Sequence, residues 1–452
     1  MHEYTTNSAS HDASPALGID REPTEQERVL MEQDWRRMLN QFAPGYLDAT
    51  AHQTKAFQRA RCITCPTDLL RMVLAYALCD YSLRLTGIWA TLNNVGSLSD
   101  VAILKRLQAC PPWLGQLIGT LLSQRCQLTP GIAAHVRLID ATSISRPGST
   151  GTDWRVHLDI DLATLCVEGC EVTDAQGGET LVRHPTQPGC ISIADRGYAH
   201  PRGLGTTLAN EGQVVVRISW QNLPLHDAAG QPIDIVSWLT AQDTSGPQEQ
   251  VVWLPTPSGQ FQVRLIAQRL STQAAEAARR RIRKQARKRG HIPDPRTLAA
   301  AGFMYLITNL PADHWSAADV LALYRFRWQV EIAIKRLKSV WHLDEVRARQ
   351  TRLAQTYLLA KLLAALLADE LTRQVVTLCP DWFTSDQHPV SPWRLAVLWY
   401  DTLRTAVRGH MTLERIFEKL IELGRYLRDG IRKRRPQWLV AQSLLSSLGG
   451  LS

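Results

Sequence analysis

The chain changes its hydrophobic period twice. From Glu25 to about Leu128 apolar residues recur at three- and four-residue spacing, in Glu25–Phe42, Pro66–Leu83, Ser99–Leu107 and Pro112–Ser123. This predicts a helical N-terminal region, and Pro66 followed by Thr67 and Asp68 suits a first helical turn. Near His135 the period shortens. Val136–Ile144 is rich in β-branched residues, Trp154–Leu162 alternates in part, and Leu165–Thr173 follows. Together they predict a three-stranded antiparallel meander, closed by the turn Asp174-Ala-Gln-Gly-Gly. A short helix is expected before the strand Cys190–Asp195, and another after Pro201, ahead of the strand Val214–Ile218.

Trp220 to about Ala301 is too long for a connecting loop. Gln250–Leu254 and Phe261–Arg269 read as strands, and Ser271–Arg289 as a basic helix. The expectation is an inserted subdomain with its own strands, after which Gly302–Asn309 returns as a strand. Beyond His342 the helical period resumes, most clearly in Leu353–Arg373 and Leu413–Arg428. Between these parts lies Ala322–Lys338, which nothing breaks and which reads as one helix. Leu323, Val330, Ile334 and Leu337 form its apolar stripe. Tyr324, Arg327, Glu331, Lys335 and Lys338 form a second stripe of aromatic, cation, carboxylate, cation, cation. One reading is a solvated face with an Arg327–Glu331 pair contributing about 0.3–0.5 kcal/mol. The other is a carboxylate that holds a cation while its basic neighbours hold phosphate.

Composition narrows the choice. The 452 residues are 45% hydrophobic and 21% charged, as in a folded protein with a sizeable core. The net charge of +9 favours a polyanionic partner, and part of it is clustered in Arg279–Arg289 and Arg432–Arg435. The opening residues have no apolar core, and the greasiest run, Tyr357–Ala368, is short and interrupted by Lys361. A cytoplasmic protein with no membrane partner is therefore expected. Nine cysteines at irregular spacing are expected to be free thiols or small core residues. Cys62 and Cys65 have the spacing of half a zinc site, but no second such pair follows.

Two acids stand at the ends of strand-like runs. Asp140 follows Leu138-Ile139 and precedes Ala141-Thr142, and Asp195 follows Ile191-Ser-Ile-Ala and opens Asp-Arg-Gly-Tyr198. Each alone reads as a turn aspartate. With Tyr324-x2-Arg327-x3-Glu331-x6-Lys338 they occur in the order found in DDE transposases of insertion-sequence family four, which the chain resembles from about Val136 to Lys338. The helical flanks match by position only.

The resemblance implies an α/β fold: a ribonuclease-H-like mixed sheet, an inserted subdomain of strands and basic helix, and helical N- and C-terminal regions. The expected divisions are a disordered tail at 1–23, a helical DNA-binding region at 24–130, catalytic segments at 131–219 and 302–350, the insertion at 220–301, and a helical region at 351–452. Asp140, Asp195 and Glu331 would be catalytic and metal-binding. Magnesium is a hard cation that takes oxygen ligands, so three carboxylates suit two Mg2+ ions, with Mn2+ able to substitute. Arg217, Tyr324, Arg327, Lys335 and Lys338 would contact DNA. Trp328 is expected to pack. Some relatives press a tryptophan of the insertion-domain strand against a flipped base; Phe303–Asn309 has none, which leaves Tyr305 as a substitute. The implied activity is DNA cleavage at element ends and strand transfer into target DNA, by a homodimer on DNA. The alternatives are a catalytically retired DNA-binding descendant and a metal-dependent nuclease that never joins strands.

Overall fold

The computed structural model describes residues 33–126, 135–162, 166–241, 246–380, 390–409, 416 and 418–427. The expected tail at 1–23 and the run Arg432–Arg435 lie outside them. Helices α1 (Tyr46–Gln53), α2 (Pro66–Leu78), α3 (Leu83–Leu92), α4 (Asp100–Ala109) and α5 (Pro111–Cys126) fill the N-terminal region. The predicted helix Pro66–Leu83 ends early, because Asp80 turns to φ 54° and Ser82 then caps α3 through the amide of Leu85.

Strands β1 (Val136–Ile144), β2 (Trp154–Asp161), β3 (Val167–Asp174) and β4 (Ile191–Ala194) follow, then α6 (Pro201–Ala209) and β5 (Gln213–Arg217). The short helix expected before β4 is a single 3-10 turn, Leu181–Arg183. The second half of the sheet comes from α7 (Ile235–Ala241), β6 (Gln248–Thr256), β7 (Gly259–Arg269), α8 (Thr272–Lys288), α9 (Pro295–Ala300) and β8 (Phe303–Thr308). Eight strands form one sheet in the order β3-β2-β1-β4-β5-β8-β7-β6. The β1–β2 and β2–β3 pairs are antiparallel, whereas β1–β4 and β4–β5 are parallel. That first half has the order and sense of a ribonuclease-H-like sheet.

The insertion corrects one expectation. Its strands do not form a sheet of their own; β7 pairs antiparallel with β8 from Arg264↔Thr308 to Arg269↔Phe303, and β6 pairs with β7. The reason is an open edge. β8 uses one side to pair with β5 over Val215↔Thr308 to Arg217↔Leu306, and its other side would expose unpaired backbone groups. β7 covers that side with apolar residues on both faces, Val263 and Leu265 on one and Ile266 on the other.

Both sheet faces are buried, so neighbouring residues of one strand feed different cores. Leu138, Ile193, Val215 and Leu306 join the helical flanks in one cluster, while Ile139, Ala194, Val216 and Ile307 join α6, α7 and α9 in another. The first face also receives α10 (Ala317–Arg325) and α11 (Trp328–Ser339), through Val320, Leu323, Val330 and Leu337. The 28-residue α12 (Thr351–Leu378) runs through the helical part, packed against α2, α4, α5 and α13 (Pro392–Arg408). Lys361 is buried inside it and donates to the carbonyl oxygens of His342 (2.7 Å) and Glu345 (3.2 Å). A last helix, α14, spans Leu420–Leu427. Among the described residues no helix is long and apolar enough to cross a membrane, and Cys62, Cys65, Cys79, Cys110, Cys166, Cys170, Cys190 and Cys379 are free thiols.

Candidate active site

Asp140 and Asp195 are brought together by register. β1 and β4 run parallel with Ile139 beside Ala194, so the next residue of each strand is an aspartate. Each aspartate lies two residues beyond a side chain of the same core, Leu138 or Ile193, and therefore points to the face on which α10 and α11 pack. Asp195 caps the turn Arg196–Tyr198, its Oδ1 accepting the Gly197 amide at 2.7 Å. Asp140 Oδ1 accepts the amide of Ala141 at 2.8 Å.

Glu331 arrives from the first turn of α11. Ala322–Lys338 is not one helix: α10 ends at Arg325 and α11 begins at Trp328. Between them the chain tightens into i→i+3 bonds, with the Phe326 amide on Leu323 and the Arg327 amide on Tyr324. The junction aims Arg327 at the sheet. Its guanidinium pairs closely with Glu331 and lies 3.7 Å from Asp140 Oδ2. The three acids are thus linked, two through Arg327 and two through strand adjacency.

A fourth carboxylate escaped the sequence reading. Glu179 lies in the irregular segment after β3, half-buried. A Cβ at Gly197 would lie 2.1 Å from Glu179 Oε2, so the glycine of Asp-Arg-Gly-Tyr leaves room for this acid. Burial, with Asp195 nearby, raises the Glu179 carboxyl above its ordinary range. Asp140 is raised to about 6, first by burial and then by the charge of Asp195, with Glu179 adding to it. This edge therefore gathers more negative charge than Arg327 offsets. Its donors are hard oxygens, a set that fits a divalent cation such as Mg2+.

Beside the acids opens a cavity of about 380 Å³, lined by Asp195, Arg217, Trp220, Arg281, Tyr324 and Arg327 among others. Tyr324 is buried against it, which pushes its hydroxyl up to about 12. Arg217 and Arg327 belong to the same wall, but Lys335 and Lys338 do not line the cavity. They lie one and two turns further along α11, about 6 and 10 Å beyond Glu331. Trp328 does not pack as expected; it is 52% exposed at the start of α11. Trp220 was also missed. From the loop after β5 its backbone amide donates to the Tyr305 hydroxyl at 3.2 Å, while its indole donates to Thr297 Oγ1 at 3.2 Å and stacks under Arg296 at 4.7 Å. Arg281 comes from the basic helix α8, so the insertion contributes to the same cavity.

Residues 133–367 match the family model described as Transposase DDE domain. The transposase for insertion sequence element IS421 of Escherichia coli is 37% identical over 336 residues, covering 73% of this chain and 91% of that protein. A protein named InsL, of insertion sequence element IS186A in Escherichia coli K12, is 37% identical over 335 residues, covering 73% and 90%. Among solved structures, the piggyBac transposase synaptic complex with hairpin DNA aligns over 93% of this chain and 90% of its own, at 10% identity and a TM-score of 0.42. Members of this family typically use divalent metal ions, and DNA is their substrate. With more than half of its length matched by the domain model and these relatives covered almost end to end, the chain belongs to the DDE transposases of insertion sequence elements.

Proposed function

We propose that the chain cuts DNA at the ends of its own element and joins the freed 3′-hydroxyl to target DNA, with Asp140, Asp195 and Glu331 as catalytic residues. The observation that carries this reading is the edge where Asp140 and Glu331 share one guanidinium while Asp195 and Glu179 add like charge beside Asp140. These carboxylates would hold two Mg2+ ions, or Mn2+ in their place. When bound, such ions lower the cost of deprotonating the attacking oxygen and of the charge left on the departing one. Arg327 keeps Asp140 and Glu331 apart from each other's charge before a cation arrives, then becomes available to a phosphate. Arg217 and Tyr324 face the same cavity and would hold the backbone beside the cut. Lys335 and Lys338 extend the phosphate track along α11. Such contacts align DNA without reading its sequence. Exposed cations of α8 would grip DNA further out, and residues 24–130 would recognise the element ends. Two ends must be cut and joined together, so the working species is a dimer on DNA, acting in the cytoplasm.

The test is incubation of the protein with its flanking genomic DNA and Mg2+, followed by mapping of cuts and joints. Cleavage at the element ends with 3′-hydroxyl products joined to target is the expected result. Cuts without joints would favour the nuclease reading. Binding with no cuts in Mg2+ or Mn2+ would favour a retired enzyme.

A further inference from the structure

A second cluster of metal-type donors stands at the other end of β1, where catalysis does not use it. His135 precedes β1, Asp161 ends β2 and Glu168 lies near the start of β3. His135 Nε2 is 2.8 Å from Glu168 Oε2 and 3.8 Å from Asp161 Oδ1. One ligand atom from each of the three lies within 4.8 Å of the others. The two carboxylates are close to fully buried, with side-chain exposures of 10% for Asp161 and 5% for Glu168. A cavity of about 180 Å³ opens beside them, lined by His135, Glu168 and Cys190 among others.

The imidazole is already oriented. Its other nitrogen, Nδ1, lies 3.5 Å from Cys190 Sγ, and that sulfur also receives Arg137 Nε–H at 3.1 Å. An Nδ1–H directed at sulfur leaves Nε2 to face the carboxylates, the arrangement by which outer partners fix a metal-binding histidine. Asp159 does not compete for the ring, because it is engaged by Arg137 and His184. Two buried carboxylates thus face one imidazole at three strand termini, with free volume next to them. Without an ion, a proton on Nε2 fills the gap as a His135–Glu168 pair; a cation would displace that proton.

We propose that His135, Asp161 and Glu168 form a Zn2+ site that clips β1, β2 and β3 together, separate from the catalytic carboxylates. The donor set decides the ion. One imidazole nitrogen with two carboxylate oxygens suits zinc, with a fourth position left for water in the cavity, whereas Mg2+ prefers all-oxygen sites. Asp140 is five residues from His135, about 17 Å along an extended strand, so one ion cannot serve both places.

The test uses the full chain in excess Mg2+ with added ZnCl2, freed of unbound metal by gel filtration, with bound zinc measured by mass spectrometry. One zinc per chain is expected in the wild type and in a D140N/D195N/E331Q variant. H135Q and E168Q should each lower zinc affinity at least tenfold, and zinc should raise the melting temperature of the wild type but not of these two. C190S should keep the zinc and weaken it, because the sulfur only orients the ring. If H135Q does not fold, E168Q gives the same readout through a conservative change. Zinc that disappears in the triple variant, or that persists in both H135Q and E168Q (as it would if Cys62 and Cys65 held it), overturns the proposal. So does a wild type that binds none.

Discussion

Asp140 and Asp159 sit on adjoining strands, one residue apart in register, and face opposite sides of the sheet. Asp159 has both oxygens engaged: Arg137 Nη1 lies 3.2 Å from Oδ2, and His184 Nδ1 holds Oδ1. Asp140 has one backbone amide and a share of Arg327, with Asp195 and Glu179 pressing on it. The same residue type is a finished structural pair on one face and an unfinished one on the other. Burial alone therefore does not separate the proposed catalytic acid from the structural one. What marks the former is a local excess of like charge that the fold tolerates, since leaving a buried carboxylate short of partners is costly.

The sharpest way to break the comparison is to neutralise both. D140N should reduce DNA cleavage roughly a thousand-fold or more, on the scale of removing a principal electrostatic element of a site, while gel-shift affinity for element-end DNA stays within about twofold. D159A should do the reverse. Removing that acid leaves Arg137 and His184 buried without it, a loss of about 3–5 kcal/mol, and so a fall of about 3–5 °C in melting temperature. Cleavage by the folded fraction at low temperature should persist. If D159A loses cleavage while keeping its melting temperature, the division between the two acids fails.

How much of this contrast could be read from residue order varies by element. Val136–Ile144 and Val214–Ile218 were legible because β-branched runs buried on both faces need no partner to be recognised. Asp140, midway along β1, and Asp195, just past β4, were legible through the motifs around Asp195 and Glu331. Glu179 was not, because it sits in an irregular segment and becomes part of the site only through Gly197, which is distant in the chain. Trp220 was not legible for a similar reason: it lies in the loop after β5, and only the fold brings its backbone amide to the Tyr305 hydroxyl on β8. The strands β6 and β7 were recognised as strands, but their membership of the main sheet depends on the bare edge of β8, which no local pattern announces. The break at Phe326–Arg327 was likewise invisible, since every residue there is compatible with a continuous helix.

A second test uses pH. The Asp140 carboxyl is raised from 3.8 to about 6, so the folded state favours its protonated form. The stability this provides is fully present below about pH 4 and is lost as pH rises through about 6, a change of about 2–3 kcal/mol. With a chelator present, denaturant midpoints of the wild type should therefore drop between pH 4 and pH 7.5 relative to D140N, which lacks the ionisation. Parallel curves for the two proteins would mean that Asp140 is less crowded than its neighbours imply.

The smallest expected effect extends the contrast to the basic helix. Arg279 is tied down, donating to the Leu298 carbonyl at 3.1 Å and to Glu276 at 2.7 Å, whereas Arg280, Lys284, Arg287 and Lys288 are exposed, and Arg281, also exposed, lines the cavity. Changing the exposed four to Gln should flatten the dependence of DNA affinity on salt, by about 0.9 in logarithmic slope for each phosphate no longer neutralised. R279Q should instead lower the melting temperature and leave the slope unchanged. An unaltered slope in the fourfold variant would make α8 a solvated face only.

The continuous sheet gives that helix a particular mechanical position. β4 is bonded to β5, β5 to β8 and β8 to β7, and α8 begins three residues after β7 ends. A backbone ladder therefore runs from Asp195 to the root of the basic arm. An arm on a flexible tether would have to be ordered each time DNA bound, at a cost in entropy on every encounter. Here that ordering is completed when the protein folds. On the proposed function, a duplex held by α8 would be indexed against the carboxylates as a workpiece is against a jig, and the distance from grip to cut would be a property of the strand spacing, about 4.8 Å per step across the sheet.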